Sequence, residues 1–332
     1  MTARVRYDVV VLGEVLVELS ATEPLRDGAQ LRLGFSGDAL NAAAAAAAAG
    51  ARTAVLARIA DDELGDALTE RVAALGVETA LLRRVPGQQG VYVVCADPTG
   101  RREFVYLRRG SAGSGLEPAD VQAAGIEDVG VVLASGVTAA LSASAAAAVE
   151  QAARRAARFV YDPNYRPRLT SSAAAARAFA RVAPYTWLVT PAWPAETAAL
   201  VGTDDLPAAG RRLRRLGALA AAITCGAAGV YLDDGQLPVR IPSPAPPALV
   251  DQTGAGDCLV GTVAARLALG DDLPEAIRLG CAAASLSLQG RGGTGHIPSL
   301  PQTRAHLQTA SCQPSARSYP AELDVHTAKG NS

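Results

Sequence analysis

The 332-residue chain is short of the side chains on which several enzyme chemistries depend. Its one lysine is Lys329, near the C-terminus, and every other basic residue is an arginine. A P-loop needs the lysine of Gly-x-x-x-x-Gly-Lys-Ser/Thr, a protein kinase needs a lysine on its third strand, and a Schiff-base enzyme needs an amine. The body of the chain supplies none of them. Histidine is as scarce, with only His296, His306 and His326. A Ser–His–Asp triad is therefore disfavoured, and a general base is expected to be a carboxylate. The five cysteines (95, 225, 258, 281 and 312) form no Cys-x-x-Cys and have no histidine nearby. That speaks against zinc and reads as free thiols in a reducing cytoplasm. No run of 18 uncharged apolar residues suggests a membrane span, and the start, Met1-Thr-Ala-Arg-Val-Arg-Tyr-Asp8, enters a strand rather than a signal peptide. A net charge of −1 gives no electrostatic case for nucleic acid.

What is present is a soluble globular composition, 49% hydrophobic and 19% charged, long enough for one large α/β domain or two smaller ones. Tyr7 to Leu12 is a β-branched run ending at Gly13-Glu14, the pattern of a buried central strand. Leu31 to Phe35 alternates like an edge strand of a smaller sheet. After Ser36-Gly37-Asp38-Ala39-Leu40-Asn41 an alanine run continues to Gly50, which reads as a tightly packed helix with a glycine stop. Thr53 to Ile59 reads as a strand and Asp61 to Leu75 as a helix. Segments starting at Gly90 and Arg102 flank Asp97-Pro98-Thr99-Gly100 as a hairpin outside any βαβ rhythm, hence a small separate sheet.

From Ser111 onward strands and helices alternate: strands at Val129–Ala134, Phe159–Tyr161, Trp187–Thr190 and Ala220–Thr224, with helices between them. This implies a mostly parallel sheet covered by helices, with ligands at the carboxyl ends of its strands. Val230–Leu232 and Val239–Ile241 form a late hairpin before a Pro-rich loop. Beyond Pro298 periodicity fades, and 311–332 reads as a mobile polar tail.

The loop leads into Val250-Asp251-Gln252-Thr253-Gly254-Ala255-Gly256-Asp257, followed by an apolar-periodic segment from Cys258 to Leu269. A glycine turn opening into a helix presents unpaired N–H donors to an anion, and a phosphate in transfer is the obvious candidate. Asp257 would repel that phosphate unless it accepts a proton from an attacking hydroxyl. At the helix N-terminus it is expected to stay ionised at neutral pH. Taken alone, the stretch is equally an acidic helix start after a flexible turn.

Two stretches together, Gly37-Asp-Ala-Leu-Asn41 before a helix and Asp251-Gln-Thr-Gly-Ala-Gly-Asp257 near the C-terminus, resemble the two signatures of ribokinase-like (PfkB) carbohydrate kinases. The resemblance covers roughly residues 5 to 300. It implies a three-layer α/β fold with a β-sheet lid from about 14–35 and 88–109, inserted in a single kinase domain spanning 1–310. It also implies Asp257 as base, with Gly254, Ala255 and Gly256 as anion hole. Thr224, Gly226 and Gly229 resemble the nucleotide-side loop, so ATP and Mg²⁺ are implied as cofactors, while the need for a monovalent cation stays open.

On the sugar side, Gly90-Val-Tyr92, the run from Tyr106 through Arg108 to Ser114, and Asp162-Pro-Asn-Tyr-Arg166-Pro are similar to 2-keto-3-deoxygluconate kinases. By that likeness Gly37, Asn41, Tyr92, Tyr106, Arg108 and Arg166 contact a sugar acid. Arginines suit a carboxylate and tyrosines give a flat face with a hydroxyl. Three departures stand out: Ser36 where a small Gly or Ala is usual, Gln252 after the first Asp of the second signature, and Trp193-Pro-Ala-Glu196 where the family has Asn-x-x-Glu. Glu196 then keeps only part of an indirect metal role. The rival readings are a fructokinase or another neutral-sugar or nucleoside kinase, and a non-catalytic sugar- or nucleotide-binding relative. A nicotinamide oxidoreductase is disfavoured, because no Gly-x-Gly-x-x-Gly follows the first strand. The partner is expected to be a small sugar or sugar acid, with no nucleic acid or membrane, and the exposed lid edges suit a homodimer.

Overall fold

The computed structural model describes residues 7–21, 23–96 and 102–311. The expected turn at 97–100 and the tail from 312 onward lie outside the described residues. The strands, in chain order, are β1 (Val9–Leu12), β2 (Leu16–Ala21), β3 (Arg32–Ser36), β4 (Thr53–Ala60), β5 (Leu82–Val85), β6 (Val91–Ala96) and β7 (Arg102–Leu107). They continue with β8 (Val131–Ser135), β9 (Phe159–Asp162), β10 (Thr186–Val189), β11 (Ala220–Thr224), β12 (Val230–Asp233) and β13 (Val239–Ile241). Among the described residues they form a nine-stranded sheet, β13-β12-β11-β10-β9-β8-β1-β4-β5, and a four-stranded sheet, β3-β2-β6-β7.

The large sheet is parallel from β5 to β11, and the late hairpin adds antiparallel β11–β12 and β12–β13 pairs. β1 lies inside the sheet between β4 and β8, with all four residues buried, which is why it reads as an unbroken β-branched run. The small sheet is the expected lid. β2 pairs parallel with β6, and the β2–β3 and β6–β7 pairs are antiparallel.

Helices cover both faces of the large sheet. One face carries the alanine helix Asp38–Ala48 together with Ala255–Ala268 and Leu273–Ser287, and the other carries Ala143–Arg155, Ser172–Val182 and Leu206–Arg215. The alanine helix is buried all round from Ala39 to Ala46, so its residues must be small rather than amphipathic. Its neighbour accommodates it with Gly261: a Cβ there would lie 2.1 Å from the carbonyl oxygen of Ala42. Two helices thus approach backbone to backbone, and the N-termini of both converge above the carboxyl ends of β1 and β8.

The structure departs from the sequence expectation beyond Pro298, where a helix runs Leu300–Ser311. Ser299 and Gln302 form a reciprocal cap: the Ser299 N–H donates to the Gln302 side chain at 2.8 Å and the Gln302 N–H to the Ser299 hydroxyl at 3.5 Å. Thr303 and His306 occupy positions on its inner side where an apolar stripe would be sought, and His306 faces the Ser285 hydroxyl at 3.2 Å. A helix at Gly136–Leu141 and the strand β5 were also not anticipated; both are too short to carry a periodic signal.

One loop ties the lid to the core. The Thr294 hydroxyl donates to the Phe35 carbonyl of β3 at 3.1 Å, and a Cβ on Gly292 would meet the Glu18 carboxylate of β2 at 2.7 Å. The next glycine, Gly293, is crowded by the Asn41 side chain, and Gly254 packs on the Gly293 backbone.

Replacing Gly261 with Ala is expected to force the two helices apart and to cost about 1–3 kcal/mol of stability. Urea unfolding measures this, and an unchanged midpoint would contradict the close approach.

Candidate active site

The carboxyl ends of the parallel strands, the two helix N-termini and the lid enclose a cavity of about 1060 Å³. Its walls include Asp162, Asn164, Thr190 and Thr224 from the strand ends, Gly37, Asp38, Asn41, Gly254, Gly256 and Asp257 from the helix starts, and Leu16, Tyr92, Phe104, Tyr106 and Arg108 from the lid. This is where a doubly wound sheet places a ligand. Gly37 is needed at the first helix start: its φ is 117°, and a Cβ would strike the Glu14 carbonyl oxygen at 2.8 Å.

Asp257 lies in the first turn of the helix Ala255–Ala268 and is held from two sides. The Asn41 amide donates to its Oδ2 at 2.8 Å and the Asn164 amide to its Oδ1 at 3.3 Å. Asn41 is itself fixed, its Oδ1 accepting the Ser36 hydroxyl at 3.1 Å. Asn164 follows the end of β9 with a positive φ of 41°, a conformation asparagine tolerates and most residues resist. The sequence expectation that Asp257 stays fully ionised at neutral pH needs correction. Burial raises its pKa to about 7, the Asp38 charge adds to the rise, and the Asn41 bond, Arg166 and the Asn164 bond oppose it. The helix end does not outweigh desolvation. The carboxyl is left poised near neutrality, where a general base works best.

Beside it, Gly254 sits in the left-handed region at φ 80°, and a Cβ there would lie 2.8 Å from the Gly293 backbone. Gly256 faces open space within 4 Å of where its Cβ would be. Among the described residues, the N–H groups of Gly256 and Asp257 have no protein acceptor, as expected in the first turn of a helix. Asp251 holds this turn, accepting the Thr253 N–H at 2.7 Å and the Gly292 N–H at 2.8 Å. The site therefore offers an anion two free amides and a cradle that any side chain at 256 would fill. Gln252 is exposed on the cavity wall, and its carbonyl accepts the Ala255 N–H at 3.3 Å.

The six expected sugar contacts, Gly37, Asn41, Tyr92, Tyr106, Arg108 and Arg166, all line the cavity. Several already have partners. The Tyr92 hydroxyl donates to Glu18. Arg108 stacks 4.4 Å over the Tyr106 ring and pairs at 3.2 Å with Glu14, a buried carboxylate that also accepts the Ser111 hydroxyl at 2.8 Å. Burial pushes Glu14 up to about 7 against the opposing pull of Arg108 and Ser111. Arg166 is looser: its side chain is 49% exposed, and Glu196 lies 4.0 Å away. Arg168, which the sequence reading passed over, lines the same wall and donates to the Phe104 carbonyl of β7 at 3.0 Å.

On the other side of the cavity Thr224, Leu249, Val250 and Thr253 line the wall, but Ala255, Gly226 and Gly229 do not. Gly229 has a structural reason: its φ is 86°, and a Cβ would collide at 2.0 Å with the Ile241 carbonyl in the β12–β13 hairpin. Glu196 is buried, with one oxygen accepting the Tyr165 N–H at 2.7 Å and the other the Ala192 N–H at 2.9 Å. It fastens two strand-end loops together, and burial raises its pKa against those two amide bonds. Trp193 turns its indole N–H to the Asp204 carbonyl, so the ring is anchored away from Glu196. Among the described residues no group of three His, Cys, Asp or Glu side chains could hold a metal ion. No helix there is long and apolar enough to cross a membrane.

Residues 6–300 match the pfkB family carbohydrate kinase. The chain belongs to this family. It is 36% identical over 304 residues to the 2-dehydro-3-deoxygluconokinase of Thermoproteus tenax, covering 90% of this chain and 93% of that protein. A PfkB protein from Polaromonas superposes with a TM-score of 0.80 at 25% identity, covering 90% of this chain and 99% of that one. The ATP-bound fructokinase of Xylella fastidiosa, at 21% identity and a TM-score of 0.81 over 92% of this chain and 99% of that one, shares the fold. The kinase is thus a ribokinase-like α/β enzyme with a β-sheet lid.

With Asp257 near 7, kinase turnover should rise with pH through about 7 as the carboxyl ionises. Asn41→Ala removes a bond that favours the ionised form, so the acidic limb of kcat should move to higher pH. A pH–rate profile with no limb between pH 6 and 8, or one unmoved in the variant, would contradict this electrostatic reading.

Proposed function

We propose that this kinase transfers the γ-phosphoryl group of ATP to a primary hydroxyl of a keto sugar acid such as 2-keto-3-deoxygluconate. The observation that carries the reading is a cavity of about 1060 Å³ that holds several cations and a carboxyl together. Arg108 comes from the lid and Arg166 and Arg168 from the segment after β9, while Asp257 and the unpaired amides stand at the helix start. A substrate with a carboxylate and a primary hydroxyl fits that set. The likeness to the 2-dehydro-3-deoxygluconokinase of Thermoproteus tenax supports the same substrate class.

In this reading Asp257 takes the hydroxyl proton as the oxygen attacks the γ-phosphorus in line, and ADP leaves. The N–H groups of Gly256 and Asp257 receive the transferring group, and Gly254 keeps their turn in place against Gly293. Tyr92, held by Glu18, and Tyr106, stacked under Arg108, form the sugar floor. Arg166 is the cation best placed to take the carboxylate, since Arg108 is already neutralised by Glu14. Thr224, Leu249 and Val250 supply the nucleotide wall. The residues present fit a Mg²⁺ that arrives with the nucleotide, because such ions are commonly held by phosphates, water and few carboxylates. When bound it neutralises phosphate charge. Glu196 would act on it only by fastening the loops at Tyr165 and Ala192.

The reading places the enzyme with ATP in the cytoplasm. The outer lid face, with Leu33, Val105 and Leu107 at 49%, 45% and 62% exposure, supports a homodimer through a second lid.

Asp257→Asn should fold as the parent does and lose ~10²–10⁴-fold in kcat; near-normal turnover would remove Asp257 from the chemistry. In a coupled ADP-release assay, kcat/KM on 2-keto-3-deoxygluconate should exceed that on fructose and ribose. Arg166→Ala should lower it ~10–100-fold on the acid sugar alone, since charge-assisted hydrogen bonds are the strong ones. A preference for fructose with an indifferent Arg166→Ala variant would favour the neutral-sugar reading.

A further inference from the structure

The chain passes between the large sheet and the lid four times, at 13–15, at Gly37, at 86–90 and at 108–113, and all four passages meet Glu14. Glu14 itself lies in the first. Its backbone carbonyl packs on Gly37 in the second. A Cβ on Gly90 would lie 2.7 Å from its Oε1, and a Cβ on Gly113 would lie 2.7 Å from its Cγ. Glycine at 90 and 113 thus leaves the space that the Glu14 side chain fills. From the last passage the Ser111 hydroxyl donates to Oε1 at 2.8 Å and the Arg108 guanidinium to Oε2 at 3.2 Å. Glu14 is fully buried and is not on the cavity wall, whereas Arg108 is on that wall. Among the described residues Glu14 is the one acceptor of the Arg108 guanidinium, whose other N–H groups are left for a ligand.

We propose that Glu14 is a positioning residue of the kinase, which holds Arg108 in one place on the cavity wall and fastens the lid to the core where the chain crosses between them. This rests on the reading of the cavity as a sugar site and deepens it. A guanidinium withdrawn from water is costly without a counter-ion. One left to move on its long stem would also lose conformational entropy at every binding event. Glu14 removes both penalties before a sugar arrives, and the Tyr106 ring 4.4 Å beneath the guanidinium completes its seat. Pairing also cancels the charge of Arg108, which then offers hydrogen bonds to a sugar oxygen while Arg166 remains the cation for a carboxylate. Because one carboxylate touches every crossing, the place of Arg108 and the seating of the lid are set together.

The charged groups that face Glu14 are Arg108, from the segment after β7, and Asp38, from the alanine helix. Ser111 adds a neutral donor, and Gly90 and Gly113 bring no side chain. Burial raises the carboxyl to about 7, the Arg108 charge and the Ser111 bond oppose the rise, and the Asp38 charge adds to it. Above that pH the ion pair is complete. Below it Glu14 takes up a proton and no longer cancels the charge of Arg108.

The test compares the parent with Glu14→Gln, Arg108→Ala and the double variant, with KM measured separately for 2-keto-3-deoxygluconate and for ATP. Glu14→Gln should raise KM for the sugar ~10–100-fold, the range for a lost hydrogen bond between charged groups, and leave KM for ATP nearly unchanged. In the double variant Glu14→Gln should add almost nothing to Arg108→Ala, because both remove one interaction. A residue that only holds the fold would raise both KM values together or add its full effect to that of Arg108→Ala, and either result overturns the proposal. Sugar affinity measured by calorimetry in Asp257→Asn, where the base no longer titrates, should weaken as pH falls through about 7. Adding Glu14→Gln should abolish that dependence, and an equal dependence with and without Glu14 overturns the proposal. If Glu14→Gln does not fold, Ser111→Ala removes one bond to the carboxylate and should raise KM for the sugar alone by ~3–10-fold; an unchanged value overturns the proposal. Failure of the sugar-acid reading is separate: it shows as poor use of 2-keto-3-deoxygluconate by the parent. The same series then runs on the sugar the parent does phosphorylate, with the same outcomes deciding.

Discussion

The bond between the Asn41 amide and the Asp257 carboxylate, 2.8 Å long and spanning 216 positions of sequence, is the contact on which the rest of the site depends. It exists because two helices meet backbone to backbone. Alanine along one and Gly261 on the other leave no side chain between them, so their first turns arrive side by side above the central strands. Larger residues would give each helix more buried surface and would separate the two ends that must act together. The low-complexity look of residues 42–49 is the chemical signature of that approach.

Burial at this junction has an electrostatic price, and the site uses it. A carboxyl at the start of a helix is ordinarily a stable anion, but Asp257 is withdrawn from water and faces Asp38. Glu14 is shifted the same way for the same reason, with Arg108 as a partial counterweight. The cavity wall therefore carries both signs, with Asp38, Asp162 and Asp257 at the helix starts and strand ends and Arg108, Arg166 and Arg168 from the lid and the segment after β9.

Much of this was legible in the chain. The central strand, the alanine helix, the lid strands and the βα alternation carry strong local patterns, and the scarcity of lysine and histidine left Asp257 as the natural base. Arg108 and Arg166 stood out in the chain as cations, and both line the cavity. Their partners did not, because Glu14 lies 94 positions from Arg108 and only the fold brings them together. Asn164 was visible as part of Asp162-Pro-Asn, yet its hold on Asp257 depends on a left-handed backbone that composition does not announce. The ionisation of Asp257 departs from the local expectation for a similar reason: the helix end is a local feature and desolvation is a tertiary one. The helix Leu300–Ser311 carries no apolar period, and its start is marked only by the Ser299–Gln302 cap. Trp193 proves compatible with the loop because its indole finds Asp204 and leaves Glu196 undisturbed.

The loop at 290–295 has a consequence for how such enzymes diverge. It touches Glu18 and Phe35 of the lid through Gly292 and Thr294, and Asn41 and Gly254 of the core through Gly293. The lid is thus not a cap that can be exchanged by itself. A chimera carrying foreign lid strands on this core would set a new side chain against Gly292, where the Glu18 carboxylate now packs, next to the Gly293 backbone on which Gly254 rests. The lid and this short glycine segment pack as one unit, although Phe35 and Thr294 lie 259 positions apart in sequence.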